Sequence, residues 1–183
     1  METLKAIFSR RSIRNFLHRP LEPEKVELLL KAAMQAPSAM NEQPWQFVVI
    51  DERLLFEKIM QSTPFAGMLK TAPLAILVCG DLRLERAPGN WVLDCAAATE
   101  NLLLAASGLG LGATWVGIYP EADRMEALAA LLELPPEVRP LALVAVGYGA
   151  ALPQEHPQRF DAKRVHLNRW SRPFEVRRGG PPC

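Results

Sequence analysis

The alternation of helix-like and strand-like segments along the chain predicts one domain of mixed helices and strands, and by pattern alone a doubly wound parallel sheet. The chain has 183 residues, 49% hydrophobic and 22% charged, a composition typical of a single globular domain. Its three cysteines show no CxxC or CxxH spacing, so the sequence indicates neither a disulfide framework nor a zinc site. No apolar run approaches the roughly 18 residues that a membrane span requires, and we expect a cytoplasmic protein.

The first half of the chain is predicted to contain three helices and two strands. The clearest helix has its apolar residues on one face, with Pro23 in its first turn and Pro37 after its end. Short apolar runs bounded by proline and aspartate predict buried strands. In order, we expect a helix over Leu4–Phe8, a helix over Glu24–Ala36, a strand over Phe47–Ile50, a helix near Arg53–Gln61 and a strand over Leu74–Cys79.

The second half is dominated by a long helix from Trp91 to Ser107, for which Asn90 is a suitable cap. Since both of its faces are largely apolar, we expect it at the centre of the molecule or at a subunit interface. The segments that follow are predicted as a strand over Thr114–Ile118, a helix over Ala122–Leu132 and a strand over Leu141–Val146. The last 37 residues, from Gly147 on, are polar and rich in proline, and we expect them to wrap around another surface.

A glycine run, Gly108-Leu109-Gly110-Leu111-Gly112, follows the long helix and precedes a strand. This is the reverse of the dinucleotide-binding context, in which the glycines follow a strand and open a helix. We interpret the run as a helix end with close packing, with phosphate binding as the alternative. The first predicted strand is also followed by a segment without glycine, Asp51–Leu55, where a doubly wound fold would need a phosphate loop.

Positive charge is concentrated at the two ends of the chain, although the net charge is only +1. Residues 1–19 carry five Lys/Arg against one acid, residues 159–178 carry seven against two, and the middle carries nine against seventeen. A nucleic-acid-binding protein would normally be basic overall, so we expect none as a partner. Two basic ends on an acidic body indicate either a compact anion held between them or solvated surface charge.

Two short segments carry the side chains best suited to a ligand. Arg10, Arg11 and Arg14 with Ser12 supply fork-shaped donors for a phosphate or a polyol. The segment 36–45 contributes the amides of Asn41 and Gln43, each of which presents a donor and an acceptor, as the edge of a neutral heterocycle requires. The alternative for this loop is a turn in which Ser38 and Asn41 bond their own backbone.

Other reactive residue types are better explained by packing. The three histidines show no i, i+4 pairing, so we predict no metal site. Cys79 and Cys95 lie in apolar segments and are interpreted as core residues. Trp45, Trp91 and Trp115 are assigned to the core, although Trp115 could also lie beside a ligand.

Five motifs occur in order at Arg10-Arg11-Ser12-x-Arg14, Pro37-Ser38-x-x-Asn41-x-Gln43-Pro44-Trp45, Asp94–Ala106, Gly112-Ala113-Thr114-Trp115-Val116-Gly117, and Arg159-Phe160 with Arg164-Val165-His166-x-Asn168-Arg169-Trp170. In this order they resemble the FMN-dependent nitroreductase family, over about residues 4–170. The resemblance implies an α+β fold, with a central, mostly antiparallel sheet flanked by helices and an intertwined homodimer with FMN at the subunit interface. This implied fold replaces the doubly wound parallel sheet that the pattern alone predicts. It also implies a single FMN-binding domain over 1–170, with a C-terminal arm from about 150 and an extended tail over 171–183.

The resemblance also implies roles for individual residues. Arg10, Ser12 and Arg164 match positions that hold the flavin phosphate and ribityl chain, and Arg11 has a main-chain role. Arg14 matches the basic position near N1 and O2 of the flavin ring, where a fixed cation favours the reduced flavin.

The remaining positions surround the ring itself. Pro37, Ser38 and Asn41 are implied to come from the partner subunit, with Gln43 in support. Val116 and Gly117 match the stretch whose backbone lies against N5 and O4 of the flavin.

The activity implied is hydride transfer from NADH or NADPH through flavin N5 to a nitroaromatic, a quinone or a similar small acceptor. The alternatives are another flavin reaction on the same fold, such as reductive dehalogenation, enone reduction or flavin fragmentation, and a flavin-binding protein without turnover. The segments 62–70 and 82–89 match no assigned role. The physiological acceptor and the preferred nicotinamide cofactor stay open.

Overall fold

The computed structural model of the chain describes residues 3–150 and 159–174. It contains two compact units, one within Met1–Pro153 and the other within Gln154–Cys183. The helices of the first unit are α1 (Thr3–Ser9), α2 (Pro23–Ala33), α3 (Arg53–Ser62), α4 (Trp91–Gly108) and α5 (Ala122–Leu131). Its strands are β1 (Trp45–Ile50), β2 (Leu74–Asp81), β3 (Gly112–Gly117) and β4 (Val138–Gly147).

The four strands form one sheet in the order β1-β2-β4-β3, and every neighbouring pair is antiparallel. The predicted α+β class with an antiparallel sheet is therefore confirmed. The doubly wound parallel sheet that the bare pattern favours is wrong. A helix between two strands does not fix their relative direction, because the chain can re-enter the sheet from the end at which it left, as it does between β1 and β2.

Hydrophobic residues cover both faces of the sheet. Along β2, Leu74, Ile76 and Val78 belong to one buried cluster, while Ala75 and Leu77 point to the other. The first cluster is covered by α2 and α4, and the second by α3 and α5. Both central strands, β2 and β4, are buried on each face, which is why their sequences are continuously apolar rather than alternating.

The ends of α4 differ in how well the sequence predicts them. Asn90 occupies the predicted N-cap position, but its backbone is helical and its side chain makes no capping hydrogen bond. The Glu85 carboxylate accepts from the backbone N–H groups of Gly89 and Trp91 instead, at 2.8 and 3.1 Å. At the other end Gly110 adopts φ +72°, and the Leu111 N–H donates to the carbonyl of residue 106 at 2.8 Å, which confirms the glycine run as a helix end.

The described part of the second unit, residues 159–174, is a small turn structure. The Asp161 side chain accepts from the Lys163 N–H at 3.0 Å, and the rings of His166 and Trp170 are 4.3 Å apart. Within the described residues, no helix is long and apolar enough to cross a membrane.

Candidate functional site

A cavity of about 520 Å³ lies in the first unit, where β3 ends and α5 begins. The turn between α3 and β2 forms its other side. The cavity is lined by Arg14, Pro64, Phe65, Gly67, Met68, Trp115, Val116, Gly117 and Arg124. Three residues predicted to contact one cofactor, Arg14, Val116 and Gly117, therefore share this cavity.

The basic segment, residues 10–14, reaches the cavity because it runs beside β3. Ser12 forms an isolated parallel bridge with Ala113, and the Ile13 N–H donates to the Ala113 carbonyl at 3.0 Å. A Cβ atom on Gly112 would come within 2.7 Å of the Ile13 side chain, so only glycine allows this approach. This close contact fixes the backbone position of Arg14, whose side chain lines the cavity.

The other residues of the basic segment have local partners. Arg10 lies 3.4 Å from the Glu100 carboxylate. Arg11 donates to the Phe8 carbonyl at 2.9 Å and to the Arg10 carbonyl at 2.6 Å, which holds its guanidinium against the backbone. Ser12 is exposed. Arg14 forms no ion pair with any residue that the structure describes.

Gly117 leaves the end of β3 open toward the cavity. No atom lies within 4 Å of the position that a Cβ would occupy there, whereas the neighbouring Val116 is buried. A side chain at position 117 would extend into this space. The backbone of Gly117 is therefore accessible to a flat ligand that lies in the cavity.

The amide loop, residues 37–43, lies at the start of α4, and none of its residues lines the cavity. The Ser38 Oγ accepts from the Gln43 backbone N–H at 3.0 Å, and the Gln43 side chain donates to the Asn41 side-chain oxygen at 3.2 Å. Met40, Asn41 and Gln43 all have positive φ values, between 49° and 56°. Such strained backbone requires a surrounding structure that holds it in place.

Two buried carboxyl groups hold the amide loop against the rest of the fold. Asp94 of α4 accepts from the Ala39 N–H at 3.0 Å, and Glu42 accepts from the Arg86 and Ala87 N–H groups at 2.6 and 3.1 Å. Each carboxyl also has one buried oxygen with no hydrogen-bond partner in the described structure. Burial raises the pKa of Asp94; the hydrogen bond from the Ala39 N–H opposes this rise, and the negative charge of Glu42 adds to it. A proton shared between the two groups would satisfy both oxygens.

The structure does not bring all predicted contacts together within one chain. Pro37, Ser38, Asn41 and Gln43 lie outside the cavity lining. Arg164 belongs to the second unit, where its guanidinium lies 3.3 Å from the Asp161 carboxylate and its side chain is 85% exposed.

The two cysteines interpreted as core residues are buried, whereas Trp115 is not. Cys79 and Cys95 are buried free thiols, and burial raises the pKa of Cys79 to about 12 and also raises that of Cys95. Neither is a reactive thiolate at neutral pH. No cluster of metal-binding side chains occurs among the described residues, and His156 and Cys183 lie outside them. Trp115 is 36% exposed and lines the cavity rather than the core.

Three notable residues of the cavity and the loop have no assigned role in the sequence motifs. Phe65 and Arg124 come from separate segments that only the fold brings to the end of β3. Glu42 occupies an unspecified position of the second motif, and nothing in that motif shows that it is buried. Only the sequence Pro64-Phe65-Ala66-Gly67, an aromatic residue between two turn-forming residues, could have indicated a turn that faces a ligand.

Comparison with known proteins identifies relatives of this chain. The family model described as "Nitroreductase family" matches residues 7–64 and 61–148. A relative from Methanothermobacter thermautotrophicus, provisionally named as an NADH dehydrogenase/NAD(P)H nitroreductase, is 45% identical over 170 residues, covering 93% of this chain and 88% of its own length.

Solved structures show the same fold. A crystal structure from Parabacteroides distasonis, with the same provisional name, has a TM-score of 0.87 and 39% identity, covering 92% of this chain and 98% of its own. A provisionally named nitroreductase from Desulfovibrio desulfuricans, solved in complex with FMN, has a TM-score of 0.76 and 31% identity, covering 86% and 92%. The ordered motifs, the antiparallel fold and these matches lead to one conclusion. This chain belongs to the nitroreductase family.

Proposed function

We propose that the protein is an FMN-dependent NAD(P)H oxidoreductase that reduces nitroaromatic, quinone or similar small acceptors. The observation that carries the proposal is the shared cavity of Arg14, Val116 and Gly117. The names of the relatives, NAD(P)H nitroreductase among them, and the FMN complex of one neighbour support the cofactor and the reductant.

The residues of the cavity fit a flavin on chemical grounds. Arg14 places a permanent positive charge in the cavity, and no described carboxylate neutralises it. Gly117 leaves room for a planar ring to approach the backbone. Bound FMN would supply the chemistry by taking a hydride from NAD(P)H and passing two electrons to the acceptor. Arg14 would stabilise the negative charge of the reduced ring.

The phosphate and ribityl chain would be held by Arg10 and Ser12, which precede Arg14 on the segment beside β3, together with Arg164. Arg10 is half-buried near Glu100, so its guanidinium is already oriented. FMN needs a site for only one terminal phosphate. This agrees with the glycine run serving as a helix end rather than as a pyrophosphate loop.

A homodimer is part of the proposal because two features of the described residues face solvent. The amide loop presents exposed Asn41 and Gln43 away from the cavity. On α4, Leu93 is 67% exposed, and the small or apolar residues 96, 97 and 104 are only partly buried. A second copy on this face would cover the apolar residues and bring its loop to the neighbouring flavin.

The spectrum of the purified protein tests the cofactor. We expect the absorption bands of bound FMN, bleaching when NADH or NADPH is added without oxygen, and recovery when menadione follows. Colourless protein that does not take up FMN would contradict the proposal. Bound flavin that NAD(P)H cannot bleach would favour the flavin-binding protein without turnover.

Steady-state kinetics test the reaction order. Since reductant and acceptor would use the same open side of the cavity in turn, initial-rate plots should give parallel lines, and NAD(P)+ should compete with the acceptor. Intersecting lines would show that both substrates bind together and would refute the shared side.

A further inference from the structure

The cavity contains a second guanidinium to which neither the motifs nor the proposed cofactor gives a role. Arg124 lies in the first turns of α5 and is half-buried. Its Nη1 lies 3.4 Å from the Gly117 carbonyl oxygen, and its Cζ lies 5.3 Å from the centre of the Phe65 ring. None of the residues that the structure describes forms an ion pair with Arg124.

Aromatic surface lies beside this charge. Phe65 is 68% exposed although the next residue, Ala66, is fully buried, so the turn anchors its backbone and leaves the ring in solvent. Trp115 presents a second ring to the same cavity. A fixed guanidinium next to two accessible rings suits a ligand with a flat apolar body and an attached acid group.

We propose that Arg124 determines acceptor specificity by binding the carboxylate of an aromatic acid that is reduced in this cavity. The proposal rests on the proposed function and adds a substrate class to it. The aromatic body of the acceptor lies against Phe65 and Trp115, and its acid group pairs with the guanidinium beside Gly117.

The position of Arg124 favours the acceptor over the reductant as the source of the acid group. Arg124 contacts Gly117, the residue expected at the reacting edge of the flavin. In NAD(P)H a ribose separates the nicotinamide ring from the nearest phosphate, and the 2′-phosphate of NADPH lies farther still. In a benzoate the acid is attached directly to the ring. An acid group that reaches Arg124 while the ring of the same molecule lies at the reacting edge is therefore one that is attached directly to that ring.

Binding of unreactive probes tests the proposal without turnover. Benzoate and its neutral analogue benzyl alcohol are titrated by calorimetry into the purified, FMN-loaded protein. In Arg124→Gln, benzoate affinity should fall at least about tenfold, the effect of one charge-assisted hydrogen bond, while benzyl alcohol affinity is unchanged. Arg124→Lys keeps the charge without the fork and should lie between. Arg139→Gln makes the same charge change at an exposed residue outside the cavity and should match wild type.

Turnover identifies the source of the acid group. With 4-nitrobenzoate, Arg124→Gln should lose at least about tenfold in kcat/KM, while 4-nitrobenzyl alcohol and the NADPH/NADH preference stay unchanged. A change in the NADPH/NADH ratio instead would assign Arg124 to the reductant. Equal losses for both acceptors, or lost flavin, would assign it to the cofactor or to the fold, and each of these results overturns the proposal. If wild type carries no FMN, the proposed function fails, while the benzoate titration of that protein still decides whether Arg124 binds an acid.

Discussion

The cavity at the end of β3 and the amide loop are both predicted to contact one cofactor, yet they are built in opposite ways. In the cavity, Arg14 and Arg124 have no carboxylate partner among the described residues, and Gly117 is open. In the amide loop, Ser38, Asn41 and Gln43 bond one another, and two buried acids hold the backbone. The cavity therefore offers unneutralised charge, whereas the loop offers a fixed shape.

This difference separates the expected effects of substitutions. Changes in the cavity should alter redox chemistry and leave folding nearly intact. Changes at the loop should alter stability first, because its polar groups are mainly bonded within the protein. A loop substitution that stops flavin reduction without lowering stability, or a cavity substitution that lowers stability without slowing flavin reduction, would contradict this division.

The largest effect is expected for Arg14→Met. Removing the only predicted cation at the N1 side should slow reduction by NADH by about 100-fold, the typical loss when one preorganised donor to a developing negative charge is removed. Stopped-flow bleaching of the flavin band under anaerobic conditions measures the rate. Arg139→Met serves as the control, and a rate within twofold of wild type in Arg14→Met would show that the charge is not used.

The next effect concerns the contact that places Arg14. Gly112→Ala puts a methyl group within 2.7 Å of Ile13, so it should lower the free energy of unfolding by about 1–3 kcal/mol, as overpacking does. Gly108→Ala is the matched control, since no atom lies within 4 Å of its added carbon. Denaturant unfolding measures both variants. Equal stability of the two would mean that the basic segment does not depend on β3.

Asp94 is one of the two buried acids that hold the amide loop, and Asp94→Asn should stabilise the protein. The amide oxygen still accepts from the Ala39 N–H, and the new N–H₂ group can donate to Glu42, so one unsatisfied pair disappears for a gain of about 1 kcal/mol.

The gain should depend on pH in a defined direction. Because the folded protein raises the pKa of Asp94, the folded state holds a proton that the unfolded state releases. The free energy of unfolding of the wild type therefore falls as pH rises from the ordinary carboxyl pKa to the raised pKa of Asp94 in the folded state. The advantage of Asp94→Asn should grow over the same interval and vanish in acid. Urea unfolding at several pH values measures this advantage, with Asp123→Asn, at an exposed residue, as the control. An advantage of Asp94→Asn that stayed constant with pH would contradict the prediction.

The smallest effect is expected for Ser38→Ala, which removes the acceptor for the Gln43 N–H. Since this bond is exposed, the loss of unfolding free energy should be about 0.5 kcal/mol. FMN affinity should fall more than stability does if the loop forms part of the site. Calorimetric titration of apoprotein with FMN measures this, and unchanged affinity would remove Ser38 from the site.

The helices and strands follow from local patterns in the sequence, whereas the relative direction of the strands does not. Every predicted helix and strand of the first unit is present, because most of them combine a clear apolar pattern with a proline or glycine near one end. Strand direction depends on contacts between distant segments, so only the family resemblance could predict it. β4 begins three residues before its predicted start, since Pro140 lies inside the strand at the irregular register near Cys79, where a missing N–H is tolerated.

The site was predictable as far as its motifs reach. Arg14, Val116 and Gly117 were named from the sequence and line one cavity. Phe65 and Arg124 complete it from segments whose only shared property is their position in the folded chain. The burial of Glu42 and Asp94 could not be predicted, because the residue type is the same whether an acid is buried or solvated.

Subunit complementation tests the central claim that one flavin site joins the cavity of one copy to the amide loop of another. Arg14→Met and Asn41→Leu chains carrying different tags are co-expressed, and the dimers that contain both tags are purified. Such a dimer would have one doubly altered site and one intact site. The account predicts about half of the wild-type rate of NADH-dependent menadione reduction per dimer, well above either variant alone. A mixed dimer no more active than the average of the two variants would show that the cavity and the loop act within one chain, and would contradict the account.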